Sequence, residues 1–248
     1  MTMSFQYISE IRRLLDLIEE KEADTMEQAV SVLTKAILKK RSIYVFGASH
    51  AGILTQEMFY RAGGLVVINP IFGSEVMVDT SPITHTSRME RLVGYGTLLA
   101  QKSPIREGDV LIAHSVSGRN PVTVEVAMEA KKQKATVISI TNLNYSKTVS
   151  SRHPSGKKLY EVSDIVIDNH GEKGDACIQI DGISQKVSPT STVIGSTILN
   201  SIVAATTQSL VNNGLKNPPI FYSANVDGGD ELNRKIFEEY KDSIHYSY

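Results

Sequence analysis

Short apolar runs separated by stretches of helical period constrain this chain more than any other feature. Ser42–Phe46, Leu65–Ile68, Val110–His114, Thr136–Ile140 and Ile165–Ile167 each hold three to five residues. Between them Ile53–Arg61, Arg88–Gln101 and Pro121–Lys132 read as helices, and Ser191–Asn212 follows as a longer one. Runs this apolar leave no polar side for solvent, so both faces of the sheet they build must be covered. The pattern predicts an α/β chain, a three-layer αβα sandwich on a five-stranded, mostly parallel sheet. Gly63-Gly64 and Gly214 stop helices, the latter in the usual left-handed position after the last turn. In such sheets ligands bind beyond the carboxyl ends of the strands, which confines the search for chemistry to the loops that follow them.

The flanks read as helical additions. Phe5, Ile8, Ile11, Leu15 and Ile18 recur at spacings of three and four and share one helix face. Thr25 with Gln28 has the form of a capping box opening a second helix to about Lys40, with Met26, Ala29, Leu33 and Ile37 apolar. This N-terminal hairpin precedes the sheet. Pro218-Pro219 opens a C-terminal arm, and Asp227-Gly228-Gly229-Asp230 caps a last helix to about Ser243. The expected division is 1–24 for the first helix, 25–214 for the main domain and 215–248 for the arm. Tyr145–Tyr160 is polar and reads as a surface excursion.

Charge and cysteine content exclude several functions. With 26 basic and 27 acidic residues the net charge is −1, which speaks against a nucleic-acid partner. The cluster Lys131-Lys132-Gln133-Lys134 ends a helix, where cations complement the dipole. One cysteine, Cys177, rules out an intrachain disulfide and suits a reducing compartment. It sits in the strand-like run Ala176-Cys177-Ile178, where a small buried hydrophobe is expected. Met1–Phe5 shows no basic segment leading into an apolar one, and no apolar run is of membrane-spanning length. A soluble cytoplasmic protein without membrane partners is expected.

Three loops carry the chemistry. Ala113-His114-Ser115-Val116-Ser117-Gly118-Arg119-Asn120-Pro121 joins a strand to a helix, with Asn120 as N-cap and Pro121 in the first turn. Free amides and two hydroxyls at a helix start suit an anion; an ordinary turn of small residues is the competing reading. Phe46-Gly47-Ala48-Ser49-His50-Ala51-Gly52 is a second strand–helix link. It lacks the second glycine of a dinucleotide fingerprint, and no acidic residue closes the next strand; a Gly-Lys-Ser/Thr ending is absent too. His50 there is either a ligand contact or a cap or interface residue. In Ser188-Pro189-Thr190-Ser191-Thr192, consecutive hydroxyls lead into the long helix, as caps or as ligand contacts.

At these loops the chain resembles the SIS (sugar isomerase) domain family, through Gly47-Ala48-Ser49, Ser115-Val116-Ser117-Gly118 and Pro189-Thr190-Ser191-Thr192. The last is similar to the corresponding segment of arabinose-5-phosphate isomerases, and the resemblance runs from about Thr25 to Gly214. It implies a five-stranded parallel sheet flanked by helices, a sugar phosphate ligand, and a homodimer or homotetramer with sites near subunit interfaces. Carried over by position, it implies phosphosugar binding by Gly47, Ser49, Ser115, Val116, Ser117, Gly118, Asn120, Thr190 and Ser191. The whole chain, with the arm around Ser223–Asp230, also resembles a bacterial subgroup labelled sugar isomerases without an assigned reaction.

Aldose–ketose isomerisation passes through an enediol and needs a carboxylate or imidazole base. His50 and Glu57 are the candidate catalytic residues. The phosphoheptose isomerases that this loop resembles carry a catalytic glutamate one or two positions further from the serine than Glu57; a solvated helix residue is the other reading. His85 and Glu90 bracket another helix start and could supply acid–base groups, or Glu90 could simply favour the dipole. His170-Gly171-Glu172 with Asp175 comes nearest to a metal set, but no metal and no cofactor are expected. A non-catalytic phosphosugar sensor using the same loops is the alternative to an enzyme.

Overall fold

The computed structural model describes residues 5–247; residues 1–4, on which the leader expectation rests, and 248 lie outside the described residues. Helices α1 (Gln6–Lys21) and α2 (Ala23–Leu38) lead into β1 (Ile43–Gly47), α3 (Ile53–Met58) and β2 (Ile68–Pro70). Short helices α4 (Thr84–Met89) and α5 (Tyr95–Gln101) precede β3 (Val110–His114), α6 (Pro121–Lys132) and β4 (Thr136–Thr141). Then come α7 (Leu143–Thr148), α8 (Leu159–Val162), β5 (Ile165–Asp168) and a hairpin of β6 (Ala176–Ile178) with β7 (Val187–Pro189). The long α9 (Ser191–Asn212) and α10 (Gly229–Tyr240) complete the described chain.

The main sheet has five strands, all parallel, in the order β2-β1-β3-β4-β5. The period of two decides which residues face which layer. Val45, Ile112, Ile140 and Ile167 turn to one face and pack with Leu33 and Ile37 of α2 and Ile194, Ile198 and Ile202 of α9. Tyr44, Phe46, Leu111, Ala113 and Val137 turn to the other, against Leu99 of α5 and Val122, Val126 and Ala130 of α6. This is the layered α/β sandwich that the apolar runs imply. Leu14 and Ile18 of α1 share the first core with Phe221, Ile236, Phe237 and Tyr240 of the C-terminal arm.

Several boundaries differ from the sequence expectation. Helix α2 begins at Ala23, because Glu22 continues the turn by donating its N–H to Ile18; Thr25 therefore caps nothing. The buried side of α1 is Leu14 and Ile18, while Phe5 and Ile8 are exposed. Most of the run Leu65–Val67 turns away from the main sheet, which it meets only where Ile43 N–H donates to Val67 O (3.3 Å). Val66 N–H donates to Pro219 O (2.8 Å) and Phe221 N–H to Gly64 O (2.8 Å), so the C-terminal arm pairs with residues 64–66 and β2 starts only at Ile68. Pro70, with no N–H to give, is tolerated because β2 is an edge strand. The helix expected over Arg88–Gln101 is broken by Gly94 (φ 94°) into α4 and α5. The glycine before α10, Gly228 (φ 80°), caps by conformation, with no side-chain bond from Asp227 or Asp230. Cys177 is on a strand, but half-exposed in the β6–β7 hairpin, with its thiol 3.2 Å from Ser188 O.

The chain's last described residues return to the β2 margin. His245 N–H donates to Asn69 Oδ1 (2.6 Å), its ring lies 2.8 Å from Ser42 Oγ, and Tyr246 O–H donates to Val66 O (2.6 Å). Among the described residues no helix is long and apolar enough to cross a membrane.

Candidate functional site

The parallel pairing of β1 with β3 sets Gly47 opposite His114, so the loops leaving the two strands lie side by side at one end of the sheet. Gly47 is required where the first loop turns: a Cβ there would lie 2.3 Å from Ala51 O. The chain passes into a single 3₁₀ turn, Ser49–Gly52, with Ser49 in the left-handed region at φ 56°. A non-glycine residue pays roughly 1 kcal/mol or more for that conformation, and such residues gather at functional sites. Among the described residues, neither the Ser49 nor the His50 amide has a protein acceptor. Ser49 is half-buried and His50 exposed.

His114 braces this turn from below. It is 2% exposed at the end of β3, with Nδ1 3.2 Å from Ala51 O and no partner for Nε2. Burial pulls its pKa down to about 4, so the ring is neutral at ordinary pH.

The second loop turns its carbonyls inward and its amides outward. Ser115 O and Val116 O accept from Thr141 Oγ1 (2.7 and 3.1 Å), and Val116 O also accepts from Asn142 N–H (3.0 Å). Ser115 N–H is spent on Ile140 O and Gly118 N–H on Ser115 Oγ, but the amides of Val116, Ser117, Arg119 and Asn120 have no protein acceptor among the described residues. Gly118 holds φ 60°, its carbonyl taking Leu159 N–H, and a Cβ would meet Leu159 and Ser146 at 3.3 Å.

Asn120 and Pro121 open α6 as the sequence predicts, but the Asn120 side chain caps nothing. Its Nδ2 donates to Glu90 Oε2 (2.7 Å) and its Oδ1 accepts from Arg152 Nη1 (2.9 Å). The Glu90 carbonyl takes the Val122 N–H instead, so the break before α5 does the capping. Burial pushes the Glu90 carboxyl above its ordinary range, against the opposing pull of Asn120, Arg91, Arg152 and His50.

The remaining expected residues make no hydrogen bond to these loops among the described residues, although α3 and α9 both pack against the first one. Glu57, on α3, binds Arg61 and accepts from Asn200 Nδ2 of α9 (3.0 Å), with no hydrogen bond to either loop. Thr190 and Ser191 already have an acid. Asp175 Oδ1 accepts from Thr190 N–H (3.1 Å) and Ser191 N–H (2.8 Å), and Oδ2 from Ser191 Oγ (2.5 Å). The start of α9 thus holds the chain's own carboxylate, and Thr190 and Ser191 are engaged by it. The acidic group around His170 is likewise dispersed: His170 pairs with Glu22 (2.9 Å), Glu172 with Lys186 (3.0 Å) and Asp175 with Ser191. No metal-ligating group of three occurs among the described residues.

Residues 6–142 match the pattern of the SIS domain. The chain belongs to the SIS-domain family. Over 241 residues it is 51% identical to a UPF0309 protein of Shouchella clausii, covering 97% of this chain and 98% of that one. It is 48% identical over 246 residues to a UPF0309 protein of Oceanobacillus iheyensis, covering 99% and 100%. In structure it is similar to the phosphoheptose isomerase of Francisella tularensis (TM-score 0.54, 13% identity, 82% of this chain and 95% of that one). The phosphoheptose isomerase of Neisseria gonorrhoeae gives TM-score 0.51 and 16% identity over 84% and 96%. At such identities the likeness is one of fold: this SIS domain has the same sheet and covering helices. The tie from Asn120 to Glu90 and Arg152 was not legible in the sequence. Its only signal was the break at Gly94, which lets residues 90–94 reach the start of α6.

Proposed function

We propose that this SIS domain binds a sugar phosphate on the loops after β1 and β3 and interconverts its aldose and ketose forms. The observation that carries the reading is the set of unengaged amides at Ser49, His50, Val116, Ser117, Arg119 and Asn120 on two adjacent loops. A hydrogen bond to a charged group is worth about 1.5–3 kcal/mol. Three or four such bonds to one phosphate would exceed the helix-dipole contribution of about 0.3–1 kcal/mol several-fold. The hydroxyls of Ser49, Ser115 and Ser117 add neutral donors without a competing charge.

Moving a proton between C1 and C2 through an enediol needs a base that is ionised yet basic near neutral pH. Glu90, raised by burial and held by Asn120, fits that demand better than Glu57, which is engaged by Arg61 and Asn200. His50, close enough to Glu90 to act on its charge, is the candidate for moving the hydroxyl proton. A homo-oligomer is supported by α9, whose 22 residues carry no charge and leave Val193 and Val211 exposed.

Incubation with phosphorylated aldoses and ketoses in heavy water tests the reading. Deuterium should enter at C1 or C2, Ser117→Asp should abolish binding, and Glu90→Gln should remove exchange while Glu57→Gln retains it. Thermal stabilisation by a sugar phosphate with no exchange would move the assignment to a non-catalytic sensor.

A further inference from the structure

Three arginines beside the second loop make no direct ion pair among the described residues, Glu90 being the nearby carboxylate. Arg119 follows Gly118 directly, and its carbonyl accepts Arg152 N–H (2.9 Å), which ties the surface excursion to the loop. Arg152 Nη1 reaches Asn120 Oδ1 (2.9 Å), and the other end of the same amide reaches Glu90 (2.7 Å), the residue before Arg91. Residues 90–91, 119–120 and 152 therefore form one patch. Among the described residues, none of these arginines makes an ion pair, whereas Arg13 and Arg61 each do. Arg119 donates from Nη2 to the neutral Ser150 Oγ (3.2 Å), and its buried Nε has no acceptor. Burial and repulsion from Arg119 and Arg91 make Arg152 less basic than usual, with Glu90 and Tyr145 opposing.

Guanidinium groups bind carboxylate and phosphate with two parallel hydrogen bonds. We infer that Arg91, Arg119 and Arg152 form a second anion subsite, so that the ligand is a sugar phosphate bearing a further carboxylate or phosphate. The inference rests on the phosphate-loop reading above, and both are separable by ligands too small to depend on sugar stereochemistry.

Titration calorimetry on the full chain compares inorganic phosphate, glycerol 3-phosphate, 3-phosphoglycerate and 2,3-bisphosphoglycerate. Either the carboxylate or the second phosphate should improve affinity over glycerol 3-phosphate by at least about tenfold, the worth of one charge-assisted bond. In Arg91→Gln/Arg152→Gln that ratio should fall to within about twofold. Should this variant melt far below the parent, Arg91→Gln alone replaces it, with a several-fold smaller ratio expected. Equal affinities in the parent, or an advantage that survives the substitutions, overturn the second subsite alone. Absence of binding by inorganic phosphate and all three organic phosphates overturns the phosphate loop with it.

Discussion

Removing the Glu125 carboxylate should loosen the segment that carries Glu90. Glu125 projects from α6, is 4% exposed, and accepts N–H bonds from Gly94 (2.6 Å) and Gly96 (2.9 Å), with Thr97 at 3.4 Å. These are the first amides of α5, which no other group caps. The two helices also touch closely, since a Cβ on Gly96 would lie 2.1 Å from Val122 O, so α5 rests directly on α6 where the carboxylate holds it. Two good bonds to a charged acceptor at about 1.5–3 kcal/mol each put the cost of Glu125→Ala at about 3–6 kcal/mol. Glu125→Gln keeps the shape and one carbonyl acceptor, so about 2 kcal/mol is expected. At about 2–4 °C per kcal/mol for a chain of this size, the alanine variant should melt roughly 6–24 °C lower. Urea titration and scanning calorimetry measure both variants. If both remain within about 1 kcal/mol of the parent, the carboxylate is not what holds α5, and the reasoning fails.

Gly47→Ala should distort the first loop, because the added carbon meets backbone at 2.3 Å; a crystal structure of the variant with Ser49 unmoved would contradict this. Glu90 holds its proton more tightly when folded, so above its unfolded pKa of about 4 the folded state is penalised as pH rises through the raised value. Glu90→Gln should therefore gain stability relative to the parent as pH increases in urea melts, and a constant difference would count against it. His114 behaves oppositely. Its contribution is fully present above 6.5 and is lost as pH falls through about 4, on the order of 3 kcal/mol. His114→Leu should flatten that acid loss, and an unchanged pH profile would show that another group causes it.

The strands were legible where the sheet supplies their only partners. β1, β3, β4 and β5 are apolar on both faces and appear where the runs of Val, Ile and Leu stand. Leu65–Val67 looks the same locally, yet the Val66 amide goes to Pro219, more than 150 residues away in sequence. The site divides in the same way. Gly47, Gly118 and Pro121 are fixed by local backbone demands and could be read in advance. Asn120 has a short side chain suited to capping, and only the arrival of Glu90 and Arg152 from two other segments draws it sideways. Thr190 and Ser191 announced free hydroxyls, but Asp175 lies on them through a hairpin that no periodicity reveals.

The return of His245 and Tyr246 to β2 bears on what meets the outer strand of the sheet. A three-residue outer strand beside a broad apolar sheet is a template on which another polypeptide could add itself. Residues 243–246, clasped to Asn69, Ser42 and Val66, act as a cover over that margin. Segments held by a few hydrogen bonds, as residues 243–246 are, open more readily than the core. Heating or dilute denaturant should therefore uncover the margin before the sheet itself melts, and aggregation would begin at β2.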